Sequence, residues 1–317
     1  ETPFQVDLPN GDYTVKVVAG DESENTVIGV KAENIQKVQD TTINAGEYAE
    51  RSFDIALVDG QLTIELTGTV PKLNGIIIEK LPERTATEHP TVYIAGDSTV
   101  QTYDEYWKPE AGWGQMISRY FSDDVTFANH AIGGRSTKTF INEGRLDAIL
   151  REIKPKDYFL VQFGHNDATI SRPDRYASVP DYKNFLKTYV NGARQRGAEP
   201  ILVTPVGRRD FNADTGKFNV SFPEYVQGMK EVAEELNVPL VDLSALSVAY
   251  YDSIGPEGTL SVFLHTEPGI YQAFPNGSQD NTHFQEYGAI QIARLLSGGI
   301  KDLNVSLSSY VTDVQPP

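Results

Sequence analysis

The sequence predicts an N-terminal all-β unit followed by a three-layer α/β/α domain with a mostly parallel, five-stranded sheet. Residues 1–84 carry short β-favouring runs separated by turn signals, and no helical period lies between them. From residue 91 onward, apolar strand-like runs alternate with helical patterns, which is typical of a parallel sheet with helices on both faces. Residues 85–90 (TATEHP) are short, polar and proline-terminated, as a linker is. We therefore expect domains at 1–84 and 91–317.

The first unit is predicted to be a β-sandwich, because its β-favouring runs are joined by turn sequences such as PNGD and VDGQ. These runs are residues 13–18, 26–30, 52–58, 62–66 and 75–78. Partial alternation directs a shared set of apolar side chains toward a core, namely Val15, Val17, Phe53, Ile55, Leu62 and Ile64. No aromatic platform for sugar is evident, so a structural support is favoured over a sugar-binding module.

The second unit repeats a strand followed by a helix. Strands are predicted near 91–96, 125–130, 157–163, 199–204 and 238–242. Helices are predicted near 113–121, 143–153, 181–196, 221–236 and 285–299. The helix at 221–236 has the clearest period, and Ser221 with Glu224 forms a candidate capping box at its start.

Composition narrows the class of function. The chain has 317 residues, a net charge of −17 and no cysteine, so thiol nucleophiles, disulfides and thiolate metal sites are excluded. No basic stripe is present, which argues against a nucleic-acid partner. No apolar run is long enough to span a membrane, and Glu1 does not open a signal peptide. The five histidines show no metal-ligand spacing, and no phosphate-binding or dinucleotide-binding glycine loop follows a strand, so neither metal nor cofactor is expected.

Ser98 is the first candidate catalytic residue. The apolar run 92–95 stops at Gly96, which places Asp97 and Ser98 at the carboxyl end of a predicted buried strand. Ligands of open α/β sheets bind beyond these ends, so a serine there is placed for chemistry. An ordinary β-turn is the alternative, because Gly, Asp and Ser are common turn residues.

Asp280 and His283 are candidates for the groups that would activate this serine. They lie in the run QDNTHF just before the last predicted helix, and a spacing of three lets one turn or helix start present both side chains together. The carboxylate could then orient the imidazole. The alternative is an aspartate that caps the helix beside an exposed histidine.

Two further strand ends offer donors for an oxyanion. The segment 132–137 (IGGRST) contains glycines that let a backbone amide approach a ligand, here the amide of Gly134. The segment 164–167 (GHND) supplies the side-chain amide of Asn166, which His165 is expected to support. Each segment alone is also compatible with a simple turn.

The four blocks AGDST, IGGRS, GHND and DNTH, in this order, resemble those of the SGNH (GDSL-type) hydrolases over most of residues 91–300. The resemblance implies that Ser98 is the nucleophile, His283 the base and Asp280 its orienter. It also implies an oxyanion hole made by the amides of Ser98 and Gly134 and the side chain of Asn166. This chain has Thr99 at the position where many members of the family have leucine.

A closer resemblance is to the rhamnogalacturonan acetylesterase branch of the carbohydrate esterases, carried by GDST, GGRS and GHND. It implies removal of O-acetyl groups from acetylated pectin, and a polymeric substrate in turn implies secretion, although a cytoplasmic role on small oligosaccharides stays open. The N-terminal unit resembles the galactose-binding-like sandwich found ahead of some such esterases. No obligate protein partner is implied.

Basic and aromatic residues near the strand ends are candidates for substrate binding. Those that could meet uronate carboxylates are Arg135, Lys138, Arg208 and Arg209. The alternative is that they are surface or structural ion-pair residues. Trp107 could stack on a sugar ring, whereas Trp113 is expected in the core. Tyr271 and Phe274 belong to a long loop, 255–278, that is expected to form a cleft wall.

Two other functions stay open at this stage. The same fold could serve a lipase-like enzyme, a thioesterase or a xylan acetylesterase, and an acyl-chain substrate would need an extended apolar groove. A non-catalytic carbohydrate-binding protein is the alternative of a different class, but Ser98, Asp280 and His283 are all present.

Overall fold

The computed structural model of the chain describes residues 2–315, and the first part of it is a β-sandwich. The strands are β1 (Phe4–Asp7), β2 (Gly11–Gly20), β3 (Thr26–Ala32), β4 (Ile35–Ile43), β5 (Tyr48–Leu57), β6 (Gln61–Val70) and β7 (Leu73–Lys80). One antiparallel sheet has the order β1-β6-β3-β4 and the other the order β5-β2-β7. The predicted all-β architecture is therefore confirmed.

The core between these sheets contains the side chains that alternation predicts, with one exception. Val15 and Val17 of β2 face Leu62 and Ile64 of β6, and all four are almost fully buried, as is Ile55 of β5. Phe53 is only half-buried at the edge of this core. Strands β1 and β4 escape prediction because they are mostly exposed and polar, so their sequences show no alternation.

Strands from residue 91 onward build the second architecture. They are β8 (Thr91–Gly96), β9 (Glu110–Ala111), β10 (Thr126–Asn129), β11 (Tyr158–Gln162), β12 (Glu199–Val203), β13 (Phe211–Asn212), β14 (Lys217–Phe218), β15 (Leu240–Val241), β16 (Phe263–Thr266) and β17 (Ser278–Gln285). Five of them form a wholly parallel sheet with the order β10-β8-β11-β12-β15. Small antiparallel sheets join β13 to β14, and β16 to β17 and β9.

Helices cover both faces of the parallel sheet, as the three-layer prediction requires. They are α1 (Trp113–Met116), α2 (Thr137–Asn142), α3 (Arg145–Leu150), α4 (Val179–Gln195), α5 (Pro223–Glu235), α6 (Leu243–Gly258) and α7 (Glu286–Asp302). Leu160 of β11 packs in one core with α1, α6 and α7. Its neighbour Phe159 points the other way and meets the ring of Tyr189 on α4, with centroids 6.2 Å apart. None of the helices between residues 2 and 315 is both long and apolar enough to span a membrane.

Several predicted helix boundaries need correction. The helix near 113–121 is α1 followed by a 3₁₀ turn. The helix predicted near 143–153 is the shorter α3, and α2, which Gly144 with φ of 79° separates from it, was not predicted. Helix α6 escapes prediction because apolar residues lie around its whole circumference and Gly255 interrupts its backbone. The capping box at Ser221 is wrong: α5 begins at Pro223, whose fixed φ favours the first helical position. The Ser221 hydroxyl instead accepts a hydrogen bond from the Arg208 amide.

The two compact units defined by contacts between residues differ from the two domains predicted from the sequence. Segments Phe140–Pro155 and Asn191–Ala198 group with the sandwich residues up to Thr85, and the rest of the chain forms a second compact unit. Within the first unit, the buried carboxylate of Asp147 accepts hydrogen bonds from the Ala56 amide and from Lys37 Nζ, each over 2.7 Å. The domain boundaries proposed from sequence, at 84 and 91, stay a prediction.

Candidate active site

Ser98 lies in a tight turn directly after β8. A Cβ atom on Gly96 would come within 2.7 Å of a Val100 methyl carbon, so the turn requires glycine. The buried carboxylate of Asp97 accepts hydrogen bonds from the amide and the hydroxyl of Thr99, over 2.9 and 2.7 Å. Burial alone raises the pKa of Asp97, but His165 and Thr99 outweigh it and lower the pKa. The residue before Ser98 is thus a fixed structural anion.

The structure joins Ser98, His283 and Asp280 in one hydrogen-bonded chain. Ser98 Oγ lies 2.7 Å from His283 Nε2, and His283 Nδ1 lies 2.7 Å from Asp280 Oδ2. The second oxygen of Asp280 accepts hydrogen bonds from the backbone amides of Thr282 and His283, over 2.7 and 2.9 Å. Three bonds therefore fix the carboxylate, and the carboxylate fixes which imidazole nitrogen faces the serine.

Neighbouring charges shift the pKa values of His283 and Asp280 in the directions that suit a general base and the carboxylate that orients it. Burial alone would raise the pKa of Asp280, but the contact with His283 and the two backbone amides lower it to about 2. Burial alone would lower the pKa of His283, but its bond to Asp280 outweighs burial, and the charges of Asp280, Glu110 and Asp97 add to the rise. The imidazole is thus made more basic than in water.

Asp280 and His283 are brought together by a bulge in β17, whereas the sequence suggested a turn or a helix start. In the β16–β17 ladder, Phe263 pairs with Phe284, and the next pair along the ladder is His265 with Gln279. Two residue steps on one strand thus face five on the other, and the excess lets the segment leave the ladder. Residues three apart in a flat strand would point to opposite faces.

The two predicted donor turns follow β10 and β11, the neighbours of β8 on either side. Gly134 has φ of 79°, and the adjacent Gly133 donates its amide to Gln101 Oε1 over 2.6 Å. An ideal Cβ on Gly133 would lie 3.4 Å from Ser98 Cβ, so this turn passes close to the serine. Asn166 donates one side-chain N–H to the carbonyl of Arg135 over 3.0 Å.

Buried acidic groups tie these turns together. Asp167 accepts hydrogen bonds from the amide and hydroxyl of Thr137 at the start of α2, and burial raises its pKa to about 7. The side chain of His165 is only 8% exposed, and its Nδ1 lies 3.6 Å from Asp97 Oδ2. Its ring also packs edge-on against Phe222, with centroids 4.8 Å apart. The His165 ring thus packs between Asp97 and Phe222, and its support of the Asn166 turn stays a prediction.

Two residues beside the serine were missed by sequence reasoning. The Tyr103 hydroxyl donates to the Ser98 carbonyl over 2.7 Å, and burial together with the neighbouring Glu110 carboxylate raises the pKa of Tyr103. Glu110 is half-buried, and its charge acts on both His283 and Asp280. Burial raises the pKa of Glu110. No local pattern marks either residue, since both reach the site through the pairing of β9 with β17 and the loop before it.

The predicted basic residues differ in how much of their side chain is engaged. Arg209 is held by Thr259 Oγ1 and the Pro256 carbonyl, each over 3.0 Å. Arg135 donates to the Gly133 carbonyl over 2.8 Å, and Lys138 lies 3.3 Å from the Pro173 carbonyl. These contacts support the alternative of a structural role for all three residues.

Arg208 is different because it is exposed and is bonded to the residue that precedes His283. Its Nε donates to Thr282 Oγ1 over 2.8 Å, and Thr282 directly precedes His283. It lines a cleft of about 380 Å³ together with Arg209 and Asn281. A second cleft, of about 690 Å³, includes Gln279. The two sequence neighbours of Asp280 therefore line different clefts, Asn281 the first and Gln279 the second.

Aromatic residues lie at the predicted places. Trp113 is fully buried and donates to Gln162 Oε1 over 2.9 Å, as expected of a core residue. Trp107 is 43% exposed and meets Tyr106 edge-on, with centroids 5.0 Å apart. Its ring also lies 6.4 Å from that of Phe274. The long loop predicted at 255–278 is wrong in its bounds, because the end of α6, a 3₁₀ turn and β16 occupy residues 255–266, and the loop that carries Phe274 is confined to residues 267–277. Tyr271 pairs with Phe274 in the same loop.

A metal site is not evident in the part of the chain that the structure describes, because no three His, Asp or Glu side chains between residues 2 and 315 cluster suitably.

Comparison with known proteins gives the family. Residues 92–296 match the family described as GDSL-like Lipase/Acylhydrolase. Residues 1–72 match the galactose-binding domain-like unit of beta-agarases and YXIM-type esterases.

Two similar proteins come from Bacillus subtilis (strain 168). The probable rhamnogalacturonan acetylesterase YesY is 43% identical over 221 residues, which are 69% of this chain and 96% of that protein. The rhamnogalacturonan acetylesterase RhgT is 40% identical over 220 residues, or 69% of this chain and 93% of that protein. The crystal structure of YxiM from the same species covers 96% of this chain and 81% of that one, with 34% identity and a TM-score of 0.61. With these matches, the chain belongs to the GDSL-like lipase/acylhydrolase family.

Proposed function

We propose that the protein is a serine O-acetylesterase that removes acetyl groups from rhamnogalacturonan, an acetylated pectic polysaccharide. The carrying observation is the continuous chain from Ser98 Oγ through His283 to Asp280, with both hydrogen bonds at 2.7 Å. The names of YesY and RhgT, at 43% and 40% identity, support the substrate class.

The first step is acylation of Ser98. Its Oγ attacks the acetyl carbonyl carbon while His283 Nε2 takes the hydroxyl proton, and Asp280 stabilises the imidazolium that forms. The carbonyl oxygen becomes an oxyanion, and the donors assigned to it are the amides of Ser98 and Gly134 and the free side-chain N–H of Asn166. Collapse of this intermediate breaks the ester bond, and the sugar oxygen leaves with the proton from His283.

The second step releases acetate. Water attacks the acetyl-serine as His283 takes one of its protons, and the same donors hold the second oxyanion. Collapse returns the proton to Ser98 Oγ and frees acetic acid, which ionises in water. His283 and the three oxyanion donors thus act twice in each turnover.

Substrate preference in this proposal comes from a basic residue, Arg208, and from an exposed aromatic cluster. The exposed guanidinium of Arg208, anchored through Nε by Thr282, is suited to a uronate carboxylate. The exposed ring of Trp107, with its neighbours Tyr106 and Phe274, is suited to the apolar face of a sugar. A polar, aromatic surface of this kind fits a saccharide better than a long acyl chain.

An extracellular location is part of the proposal, because a cell-wall polymer cannot enter a cell to meet an enzyme inside it. Immunodetection of the chain in culture fluid and in cell pellets of its source would test this location. Retention of all the protein within cells would restrict the substrate to imported oligosaccharides.

Acetate release tests the activity. The intact chain and Ser98→Ala are incubated with acetylated rhamnogalacturonan, acetylated xylan and chemically deacetylated rhamnogalacturonan. We expect release from the acetylated pectic polymer alone or predominantly, and its loss in the variant. Equal release by the variant would remove Ser98 from the mechanism, and a preference for xylan would change the substrate.

A further inference from the structure

The side-chain amide of Asn166 is held from both of its ends. Its Nδ2 donates to the Arg135 carbonyl over 3.0 Å, and its Oδ1 accepts from Arg175 Nη1 over 3.3 Å. A guanidinium can only donate and a carbonyl can only accept, so a flipped amide would face donor with donor and acceptor with acceptor. The remaining N–H of Asn166 therefore has one direction.

The same guanidinium also packs on Gly134. An ideal Cβ on Gly134 would lie 3.0 Å from Arg175 Nη2 and 3.2 Å from its Cζ. The missing side chain of Gly134 thus leaves the space that Arg175 occupies, and φ of 79° at this residue independently favours glycine. Arg175 consequently contacts both residues assigned as oxyanion donors outside the serine turn.

The backbone that presents Arg175 is well anchored. Ala177 donates its amide to the Asp167 carbonyl over 3.0 Å, and its own carbonyl accepts from the Tyr225 hydroxyl over 2.6 Å. The amide of Arg175 donates to the Arg172 carbonyl over 3.0 Å. The loop thus begins and ends beside the Asn166 turn. A side chain on such a loop can be held in place before substrate arrives.

We propose that Arg175 is a positioning residue of the oxyanion hole: it orients the Asn166 amide and braces Gly134. The inference rests on the proposed esterase function, and it assigns Arg175 an effect on the chemical step through Asn166. A competing role is binding of a substrate carboxylate, because the Arg175 side chain is 28% exposed. The two roles differ in one respect, since a neutral ester such as p-nitrophenyl acetate has no carboxylate to bind.

A double-mutant cycle on p-nitrophenyl acetate tests the proposal. The variants are Arg175→Gln, Asn166→Ala and the two combined, with kcat and KM measured for each. Loss of a whole oxyanion donor costs a factor of ~10² to ~10³ in kcat, and loss of its orientation should cost about tenfold. In the Asn166→Ala background, Arg175→Gln should change kcat by less than about twofold, because coupled residues are not additive.

Arg172→Gln is the matched control. Arg172 belongs to the same loop, is exposed and pairs with the same Asp174 carboxylate, so this variant removes an equal charge without touching Asn166. It should retain the kcat of the parent chain. Arg175→Lys keeps the charge but loses the planar donors that reach both turns, and we expect it to resemble Arg175→Gln in kcat. Thermal unfolding of each variant checks its fold, and Arg175→Lys enters the same cycle should Arg175→Gln not fold.

The outcomes are distinct. The proposal is overturned by an equal Arg175→Gln effect with and without Asn166, by a loss seen only as KM for pectic substrate, or by full rescue with lysine. A parent chain that hydrolyses no ester at all would overturn the proposed function as well. A parent chain that is active while Arg175→Gln matches it would overturn this inference alone.

Discussion

The hydroxyl of Tyr103 donates a hydrogen bond to the backbone carbonyl of Ser98 over 2.7 Å. This contact ties the loop after the serine turn back to the serine itself, and the Glu110 carboxyl lies near the same hydroxyl. The serine turn is therefore supported by its own downstream sequence as well as by Asp97. It follows that the reach of Ser98 Oγ toward His283 depends on a residue outside the sequence motifs.

Tyr103→Phe should lower kcat on p-nitrophenyl acetate with little change in KM. The loss of one partly buried hydrogen bond, worth about 0.5–1.5 kcal/mol, corresponds to roughly two- to tenfold in rate if it is felt in the transition state. Tyr106→Phe is the control, since Tyr106 lies in the same loop but is 49% exposed. An unchanged kcat together with a lower melting temperature would reduce Tyr103 to a structural role.

The pH profile should report His283 and the carboxylates around it. His283 has to be neutral to accept the serine proton, so kcat/KM falls as pH drops through its pKa, which Asp280, Glu110 and Asp97 raise despite burial. Glu110→Gln removes one of these negative charges and lowers that pKa. The acidic limb of the profile should therefore move to lower pH.

Steady-state kinetics on a neutral ester across a pH series would measure this shift. Glu105→Gln is the control, because Glu105 is exposed, belongs to the same segment and pairs with Lys108. Its acidic limb should coincide with that of the parent chain. A limb that stays in place in Glu110→Gln, or moves to higher pH, would contradict the assigned influence of Glu110.

The sequence predicts those parts of the fold whose signal is local. The strands β8, β11 and β12 are continuous apolar runs, and their burial on both faces explains why they were found within a few residues. Helix α6 lacks a polar face, and the unpredicted two-residue strands β9, β13 and β14 are too short for any period. Such elements exist because of their tertiary contacts, which no sequence window contains.

The same distinction explains the site. Ser98, Gly134, Asn166 and His283 follow strand ends or precede a helix, so their places could be inferred from the order of elements. Tyr103, Glu110 and Arg175 reach the site through contacts with other segments, and neighbouring residues give no hint of them. The bulge in β17 was also unforeseen, because it depends on the unequal advance of β16 and β17. Motifs thus mark the reacting groups better than the groups that hold them.

Arg208→Gln should weaken binding of pectic substrate while leaving the hydrolysis of p-nitrophenyl acetate unchanged. A charge-assisted hydrogen bond is worth about 1.5–3 kcal/mol, and exposure of Arg208 reduces this, so we expect KM for acetylated rhamnogalacturonan oligosaccharides to rise about five- to tenfold. The parent KM should also rise with salt, and that of the variant less so.

Lys217→Gln is the matched control, because Lys217 is an exposed cation on β14 that does not line the cleft around Arg208. It should preserve both KM and its dependence on salt. A KM for the oligosaccharides that is insensitive to Arg208→Gln would place recognition of the uronate elsewhere. A parallel loss on p-nitrophenyl acetate would instead indicate that Arg208 acts on the imidazole through Thr282.

Trp107→Ala should raise KM for the acetylated polymer by about tenfold, because lost contact with one aromatic face amounts to roughly 1–2 kcal/mol of apolar burial and 1.4 kcal/mol is tenfold in affinity. Turnover of p-nitrophenyl acetate should stay unchanged, since that ester is too small to span the serine and the Trp107 ring together.

Ile270→Ala is the control: Ile270 lies in the same loop as Phe274, is 66% exposed and offers no ring. If both variants bind the polymer like the parent, the exposed aromatic cluster of Tyr106, Trp107 and Phe274 is not a sugar platform. If Trp107→Ala alone weakens binding and Trp107→Phe restores most of it, stacking on a planar face is the cause, because phenylalanine keeps a smaller aromatic face and loses the indole N–H.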